Sequence, residues 1–222
     1  MLLEKIEETV KAIRAKVSDT PAVGIILGTG LGGLGEEIKE GKMFSYESLP
    51  HFPRATVEGH KGQLTFGKIG TTSVVVMEGR FHLYEGYSAA EVTYPVRVMK
   101  ALGAETLVVS NAAGGMNPSY RAGDLMVIAD HINLMGVNPL VGPNDDRLGI
   151  RFPDLSAPYD EKLISIAEQI ARDQKIRLHR GVYVGVLGPN LETRAEYKFL
   201  RGIGADAVAV AGRAVGVAVA AG

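Results

Sequence analysis

The sequence contains no cysteine, which excludes disulfide bonds and any site built on thiolate ligands or thiol redox chemistry. Its formal net charge is -1 and no cluster of basic residues occurs, so nothing in it favours binding to nucleic acid. No apolar run is as long as a membrane span, and Glu4 comes too early in the chain for a secretory signal peptide. These absences predict a cytoplasmic protein that works without nucleic acid or a membrane.

The composition is that of a globular protein, with 46% hydrophobic and 22% charged residues. A chain of 222 residues is most simply one domain, and we expect a single domain over residues 1–222. Apolar residues recur at helical spacing over residues 3–17, whereas residues 22–27 and 106–110 are short apolar runs typical of buried strands. The sequence therefore predicts an α/β fold.

A glycine-rich stretch, residues 28–33, follows the first predicted strand. Gly28, Gly30 and Gly33 have the spacing of a dinucleotide-binding loop. That fold also needs a buried second strand ending in an acid about 20 residues later, a pattern that residues 42–50 lack. Two other interpretations stay open: a tight turn, or an anion-binding loop in which backbone N–H groups and the Thr29 hydroxyl donate hydrogen bonds.

Residues 79–87 read GRFHLYEGY and follow an apolar, β-branched run. Arg80 and His82 are two apart, so in an extended chain their side chains point to the same side. Just beyond a buried strand they would face the crevice in which α/β sheets bind ligands, and their donors suit a phosphate-like oxyanion. The alternative is a surface turn with a salt-bridged arginine and a capping histidine.

Three further positions admit both a functional and a structural interpretation. His60 lies in a glycine-containing loop, where a surface role is the alternative to ligand binding. Residues 111–115 (NAAGG) follow a predicted strand, and their lack of bulk favours a floor beneath a ligand, with a turn at Asn111 as the alternative. Glu192 is either a ligand contact or a first-turn acid favoured by the helix dipole.

Taken in order, a set of motifs resembles the purine nucleoside phosphorylases. They are GTGLGG at 28–33, EGH at 58–60, GRFHLYEGY at 79–87, NAAGG at 111–115, DHIN at 130–133 and GPNLET at 188–193. Each motif is weak by itself, but the whole ordered set is highly specific. The resemblance covers residues 20–208, roughly, and is to the trimeric class that acts on 6-oxopurine nucleosides. It implies a single domain with a central mixed, twisted β-sheet flanked by helices. It also implies conversion of a purine ribonucleoside and phosphate to the free base and ribose 1-phosphate.

The resemblance assigns roles to individual residues. Phosphate contacts fall on Thr29, His60, Arg80, His82 and the backbone N–H of Ala112. Nucleoside contacts fall on Tyr84, on Glu192, which would bind the N1–H side of a 6-oxopurine, and on Phe152, which would enter a neighbouring subunit's ribose pocket. His82 and Glu192 are the expected catalytic residues. A homotrimer is implied, with inorganic phosphate as co-substrate and with neither a metal nor a cofactor.

The chain departs from the resemblance after about residue 208. Where the family continues with a Met-Ser-Thr-Val-Pro-Glu segment, residues 207–222 are alanine, valine and glycine apart from Arg213. A base-contacting methionine, a phosphate-contacting serine and a later asparagine and histidine therefore have no match. We expect an active phosphorylase whose C-terminal sequence is incomplete or unreliable. The alternatives are a truncated chain that binds phosphate or purine without efficient turnover, and a relative of methylthioadenosine phosphorylase.

Overall fold

The structure is a computed structural model that describes residues 1–28, 32–54, 61–209 and 214–221. The chain divides into two compact units. The first contains Met1–Val108 and Asn138–Pro153, and the second contains Val109–Val137 and Asp154–Ala221. The expectation of a single domain over the whole chain stays a prediction.

The first unit is built on two helices and part of a β-sheet. Its elements are α1 (Leu2–Arg14), β1 (Val23–Leu27), β2 (Lys39–Ser45), β3 (Gln63–Ile69), β4 (Thr72–Glu78) and α2 (Ala89–Ala101). The strands lie in the order β2-β3-β4-β1. β1 and β4 are parallel, whereas β3 is antiparallel to both β2 and β4. Short 3₁₀ helices occur at Gly32–Glu37, Tyr46–Ser48 and Leu83–Glu85.

The apolar patterns of the sequence explain the core of this unit. The side chains of β1 and β4 pack in one hydrophobic cluster that contains Ile25, Leu27, Val74 and Val76. Continuous apolar runs of this kind are typical of parallel strands that are covered on both faces. The helix α2 begins at a capping box formed by Ser88 and Glu91 and contains Pro95.

The strand β2 argues against the dinucleotide-binding interpretation. It is antiparallel to β3 and mostly exposed, with Phe44 as its buried side chain, whereas a dinucleotide fold requires a buried parallel strand there. The glycine-rich stretch leads into the short 3₁₀ helix Gly32–Glu37 and not into a long α-helix. Anion binding or a tight turn remain as the interpretations of this stretch.

The strand β5 (Thr106–Gly115) begins in the first unit and ends in the second. The other elements of the second unit are β6 (Leu125–Asn133), α3 (Glu161–Asp173), β7 (Leu178–Gly185), α4 (Arg194–Gly202), β8 (Ala207–Ala209) and β9 (Ala214–Ala221). Parallel pairs join β6 to β7, β6 to β9 and β7 to β8, whereas β5 and β8 are antiparallel. The predicted α/β fold with a mixed sheet is confirmed. No helix in the described part of the chain is both long and apolar enough to cross a membrane.

The end of β5 differs from the prediction that the strand stops at residue 110. The strand continues to Gly115, and Gly114 and Gly115 pair with Val208 and Ala207 of β8. A Cβ atom at Gly114 would lie only 3.4 Å from Val208 Cγ1. The small residues at 112–115 therefore allow a close approach between strands, so the NAAGG motif is a strand end and not a loop.

Candidate active site

The turn after β4 carries the first group of predicted site residues. Gly79 has a φ of 108°, a left-handed conformation that favours glycine, so the chain can turn sharply where the strand ends. The Gly79 carbonyl oxygen accepts a hydrogen bond of 2.6 Å from the buried Tyr46 hydroxyl. The Tyr46 ring also packs against Phe81, with the ring centroids 5.1 Å apart. These contacts hold the backbone on both sides of Arg80.

Arg80 and His82 meet, as their spacing predicts. Arg80 Nε donates a hydrogen bond of 3.2 Å to His82 Nε2, and His82 Nδ1 lies 2.7 Å from Glu85 Oε1. Arginine has only donors and a carboxylate only acceptors, so His82 must carry its proton on Nδ1 and donate it to Glu85. Glu85 also accepts the backbone N–H of His82, at 2.8 Å. The carboxylate of Glu85, which the sequence analysis did not single out, therefore orients the imidazole.

The surroundings of His82 favour a neutral ring. Burial lowers the pKa of His82, the hydrogen bond to Glu85 opposes this effect, and the Arg80 guanidinium adds to it. The exposed ring of Tyr84 stacks on His82, with centroids 4.7 Å apart and an interplanar angle of 13°. Burial and the nearby Glu85 raise the pKa of Tyr84. Its hydroxyl therefore stays protonated and can donate a hydrogen bond.

The second unit holds Ala112 in β5, next to a buried asparagine. Asn111 is 6% exposed, and its Oδ1 atom has no hydrogen-bond partner among the residues that the structure describes. Ala112 itself is half-buried. The turn proposed as one alternative for Asn111 is wrong, because the residue lies inside the strand.

Glu192 lies immediately before Thr193, the N-cap residue of α4. The first-turn acid of this helix is Glu196, whose carboxylate accepts the Thr193 backbone N–H at 2.6 Å while its own N–H donates to Thr193 Oγ1 at 3.2 Å. The interpretation of Glu192 as a first-turn acid is therefore wrong. The capping box is complete without it, so Glu192 has no part in starting the helix.

Both carboxylate oxygens of Glu192 are buried and have no hydrogen-bond partner in the described part of the chain. The hydroxyl of Tyr197 approaches them and, together with burial, this raises the pKa of Tyr197, although the geometry is not that of a hydrogen bond. Buried carboxylates are normally paired, because an unpaired one is costly to remove from water. The carboxylate oxygens can accept hydrogen bonds from a ligand that reaches them.

Phe152 belongs to the part of the first unit at Asn138–Pro153 and is 85% exposed. The guanidinium carbon of Arg151 lies 5.7 Å from the centre of its ring. Val141 and Ile150 in the same segment are also largely exposed. Thr29 and His60, the two other predicted phosphate contacts of this unit, lie outside the described residues. Within the described ranges, no group of three or more histidine, aspartate or glutamate side chains could hold a metal ion.

Comparison with known proteins gives a consistent result. Residues 22–217 match the family model of the phosphorylase superfamily. Purine nucleoside phosphorylase 1 of Bacillus subtilis is 55% identical over 205 residues, which cover 92% of this chain and 76% of that protein. The chain belongs to the purine nucleoside phosphorylases.

Two other relatives of this phosphorylase agree. The purine nucleoside phosphorylase of Mus musculus is 49% identical over 212 residues, covering 92% of this chain and 73% of that protein. The crystal structure of the Schistosoma mansoni purine nucleoside phosphorylase in complex with adenosine matches with a TM-score of 0.90 at 41% identity, covering 97% of this chain and 82% of that one. The enzyme class predicted from the sequence is confirmed.

The structure thus groups the predicted residues of this phosphorylase by unit. Arg80, His82 and Tyr84 come together in the first unit, and Ala112 and Glu192 belong to the second. Two residues that position the turn with Arg80 and His82 were not identified from the sequence, namely Tyr46 and Glu85. The three-residue spacing from His82 to Glu85 could have indicated their contact. Tyr46 lies far from Gly79 in the sequence, and no local pattern links these two residues.

Proposed function

We propose that this phosphorylase cleaves 6-oxopurine nucleosides, such as inosine and guanosine, with inorganic phosphate, releasing the free base and ribose 1-phosphate. The observation that carries the choice of base is the pair of buried carboxylate oxygens on Glu192, which have no hydrogen-bond partner in the described residues. Both are acceptors, so the ligand that satisfies them must bring donors.

The two purine classes differ at the position that would face this carboxylate. A 6-oxopurine carries a hydrogen on N1 and donates it, whereas adenine presents a bare N1 that only accepts. Adenine N1 would leave the Glu192 oxygens unpaired and would place two acceptors against each other. A site built around a buried hydrogen-bond acceptor discriminates strongly against ligands that lack the matching donor. Glu192 therefore supports 6-oxopurines over a substrate of the methylthioadenosine class.

The residues of the first unit suit the other substrate, phosphate. The guanidinium of Arg80 provides charge-assisted donors in a planar fork, and Arg80 is held beside a neutral His82. We assign Arg80, His82, Thr29, His60 and the backbone N–H of Ala112 to phosphate. The nucleophile is phosphate itself, so this proposal includes no protein nucleophile, no metal and no cofactor.

In the proposed reaction a phosphate oxygen forms a bond to the ribose C1′ as the bond from C1′ to the purine N9 breaks. The electron pair of that bond passes to the purine, so negative charge grows on the base while positive charge grows on the sugar. Phosphate held by Arg80 and His82 stabilises the sugar cation electrostatically. Glu192 holds the purine by its N1–H, and Tyr84 donates to a sugar hydroxyl.

The exposure of Phe152 supports the proposal that the enzyme is a homotrimer, and we also propose that it works in the cytoplasm. An aromatic side chain that is 85% exposed and adjoins other exposed apolar residues is typical of a surface that contacts a partner. We propose that Phe152 enters the ribose pocket of a neighbouring subunit.

Release of hypoxanthine from inosine, measured with and without phosphate, tests the activity. Release that depends strictly on phosphate is expected. A folded protein that binds phosphate or purine but releases nothing would instead be the binding protein without turnover that the sequence left as an alternative. Preference for methylthioadenosine over inosine in the same assay would contradict the assignment of Glu192.

The variant Glu192→Ala tests the base contact, because it removes both acceptor oxygens. We expect kcat/KM for inosine to fall by about 100- to 1000-fold, the usual cost of a lost transition-state contact. Binding of phosphate should not change. Glu196→Ala is the matched control, since Glu196 is an exposed acid four residues further on that caps the helix. Equal losses in both variants would remove Glu192 from the site.

A further inference from the structure

Glu78, the last residue of β4, is a buried carboxylate with an unusual set of partners. It is 5% exposed and accepts hydrogen bonds from Lys61 Nζ at 2.8 Å, Gln63 Nε2 at 2.8 Å and Thr65 Oγ1 at 2.6 Å. Gln63 and Thr65 donate from the neighbouring strand β3, whereas Lys61 precedes that strand and is 53% exposed. Lys61 is thus the one full positive charge among these three donors.

Three chain segments with predicted phosphate contacts converge on this carboxylate. Glu78 is separated from Arg80 by Gly79 alone, and Lys61 directly follows His60. The third segment is the 3₁₀ helix that follows the glycine-rich stretch: a Cβ atom built on Gly35 would lie 2.6 Å from Glu78 Oε2. The Gly62 N–H also donates to the Glu78 carbonyl oxygen at 3.0 Å, which ties the second segment to the first.

Glu78 carries its negative charge at neutral pH. Burial alone would raise the pKa of Glu78, but the hydrogen bonds from Lys61, Thr65 and Gln63 outweigh it and hold the pKa below its usual range. The same contact raises the pKa of Lys61, so the amine is also charged. The Cα atoms of Glu78 and Arg80 are at most about 7 Å apart, because one residue separates them. An uncompensated negative charge on Glu78 would therefore act against a phosphate dianion held by Arg80, since charges of like sign repel over distances of this order.

We propose that Lys61 neutralises Glu78 and so allows phosphate to bind beside a buried carboxylate. Lys61 is a positioning residue in this scheme, since it acts on phosphate through the charge of Glu78. The inference rests on the proposed function in one respect, the assignment of Arg80 to phosphate. It adds a residue pair that sets how tightly the enzyme holds its co-substrate.

The test is a double-mutant cycle, here called the charge cycle, with the variants Lys61→Met, Glu78→Gln and the double variant. Lys61→Met keeps most of the aliphatic stem and removes the charge, so KM for phosphate should rise by about 3- to 30-fold, less at high salt. The kcat value and KM for inosine should change by less than about twofold, the range expected where the nucleoside contacts stay intact. In the double variant KM for phosphate should return close to the wild-type value, because the repelling charge is gone.

Direct binding of inorganic phosphate, measured by calorimetry on the same four proteins, gives a readout that does not depend on turnover. If the wild-type protein binds phosphate but cleaves no nucleoside, the proposed function fails while the charge cycle can still be read. An unchanged phosphate affinity in Lys61→Met overturns the inference. So does a loss of affinity that Glu78→Gln does not restore, because a loss caused by altered shape would persist in the double variant.

Discussion

Replacing Tyr46 by phenylalanine isolates one buried hydrogen bond that holds the turn before Arg80. The Tyr46 hydroxyl donates to the Gly79 carbonyl oxygen at 2.6 Å, and both residues are buried. Burial, with the nearby charge of Glu78, raises the pKa of Tyr46, so the hydroxyl keeps its proton throughout the physiological range. Phenylalanine preserves the ring contacts with Phe52 and Phe81, at 5.5 and 5.1 Å between centroids, and removes only the donor.

The loss of stability in Tyr46→Phe comes from the Gly79 carbonyl oxygen, which loses the hydrogen bond from the Tyr46 hydroxyl. A buried acceptor that loses its donor costs about 1–3 kcal/mol, because water cannot take the donor's place. For a chain of this size each kcal/mol lowers Tm by about 2–4 °C. Because Gly79 precedes Arg80, the loosened turn should also raise KM for phosphate more than KM for inosine.

Tyr87→Phe is the matched control for this experiment. The Tyr87 hydroxyl also donates to a backbone carbonyl, that of Arg54 at 2.7 Å, but this hydrogen bond is exposed. Water can replace the hydroxyl there, so the change in the free energy of unfolding should stay within about 0.5 kcal/mol. Urea unfolding of both variants measures the difference. Equal effects in the two variants, or a loss below about 0.5 kcal/mol in Tyr46→Phe, would refute the reasoning.

Two other predictions concern pH and packing. Folding lowers the pKa of His82 below 6.5, so the unfolded chain binds more protons at this residue than the folded chain does. The contribution of His82 to the free energy of unfolding is therefore complete above about pH 6.5 and is lost as the pH falls towards the pKa of the folded state. His82→Gln should flatten the pH dependence of urea unfolding, and an unchanged slope would contradict the pKa shift. Gly181→Ala should cost about 1–3 kcal/mol, because its Cβ would lie 2.7 Å from the Tyr120 hydroxyl and 2.8 Å from Asp206 Oδ2. Gly202→Ala, which meets nothing within 4 Å, should be neutral or stabilising in thermal unfolding, and equal losses would contradict the packing argument.

Local sequence patterns were enough for contacts between near neighbours. The two-residue spacing of Arg80 and His82 after an apolar run predicts that their side chains point to the same side, and in the structure Arg80 Nε lies 3.2 Å from His82 Nε2. The capping box of α2 was readable for the same reason, since Ser88 and Glu91 are close in sequence. In each case the residues that interact lie within one turn of the chain.

Contacts between distant parts of the chain could not be predicted from local sequence patterns. The strand β5 continues through the small residues 111–115 because β8 lies beside it, and nothing local indicates that neighbour. The Glu192 carboxylate, which has no hydrogen-bond partner among the described residues, is buried by the fold, so its residue type and position allowed a first-turn acid equally well. The resemblance to a family, and not the local pattern, distinguished Glu192 from Glu196.

The hydrogen bonds that join Arg80, His82 and Glu85 all run in one direction, from Arg80 to Glu85. One end can only give hydrogen bonds and the other can only receive them, so the protons along it have a single arrangement. A glutamine in place of Glu85 would end that asymmetry, because its amide can either give or receive. Arg80, which has no acceptor, would then be the remaining group that holds the imidazole proton on Nδ1. The acid at position 85 thus adds a second constraint on the tautomer, because a carboxylate can accept the Nδ1 hydrogen but has none to donate.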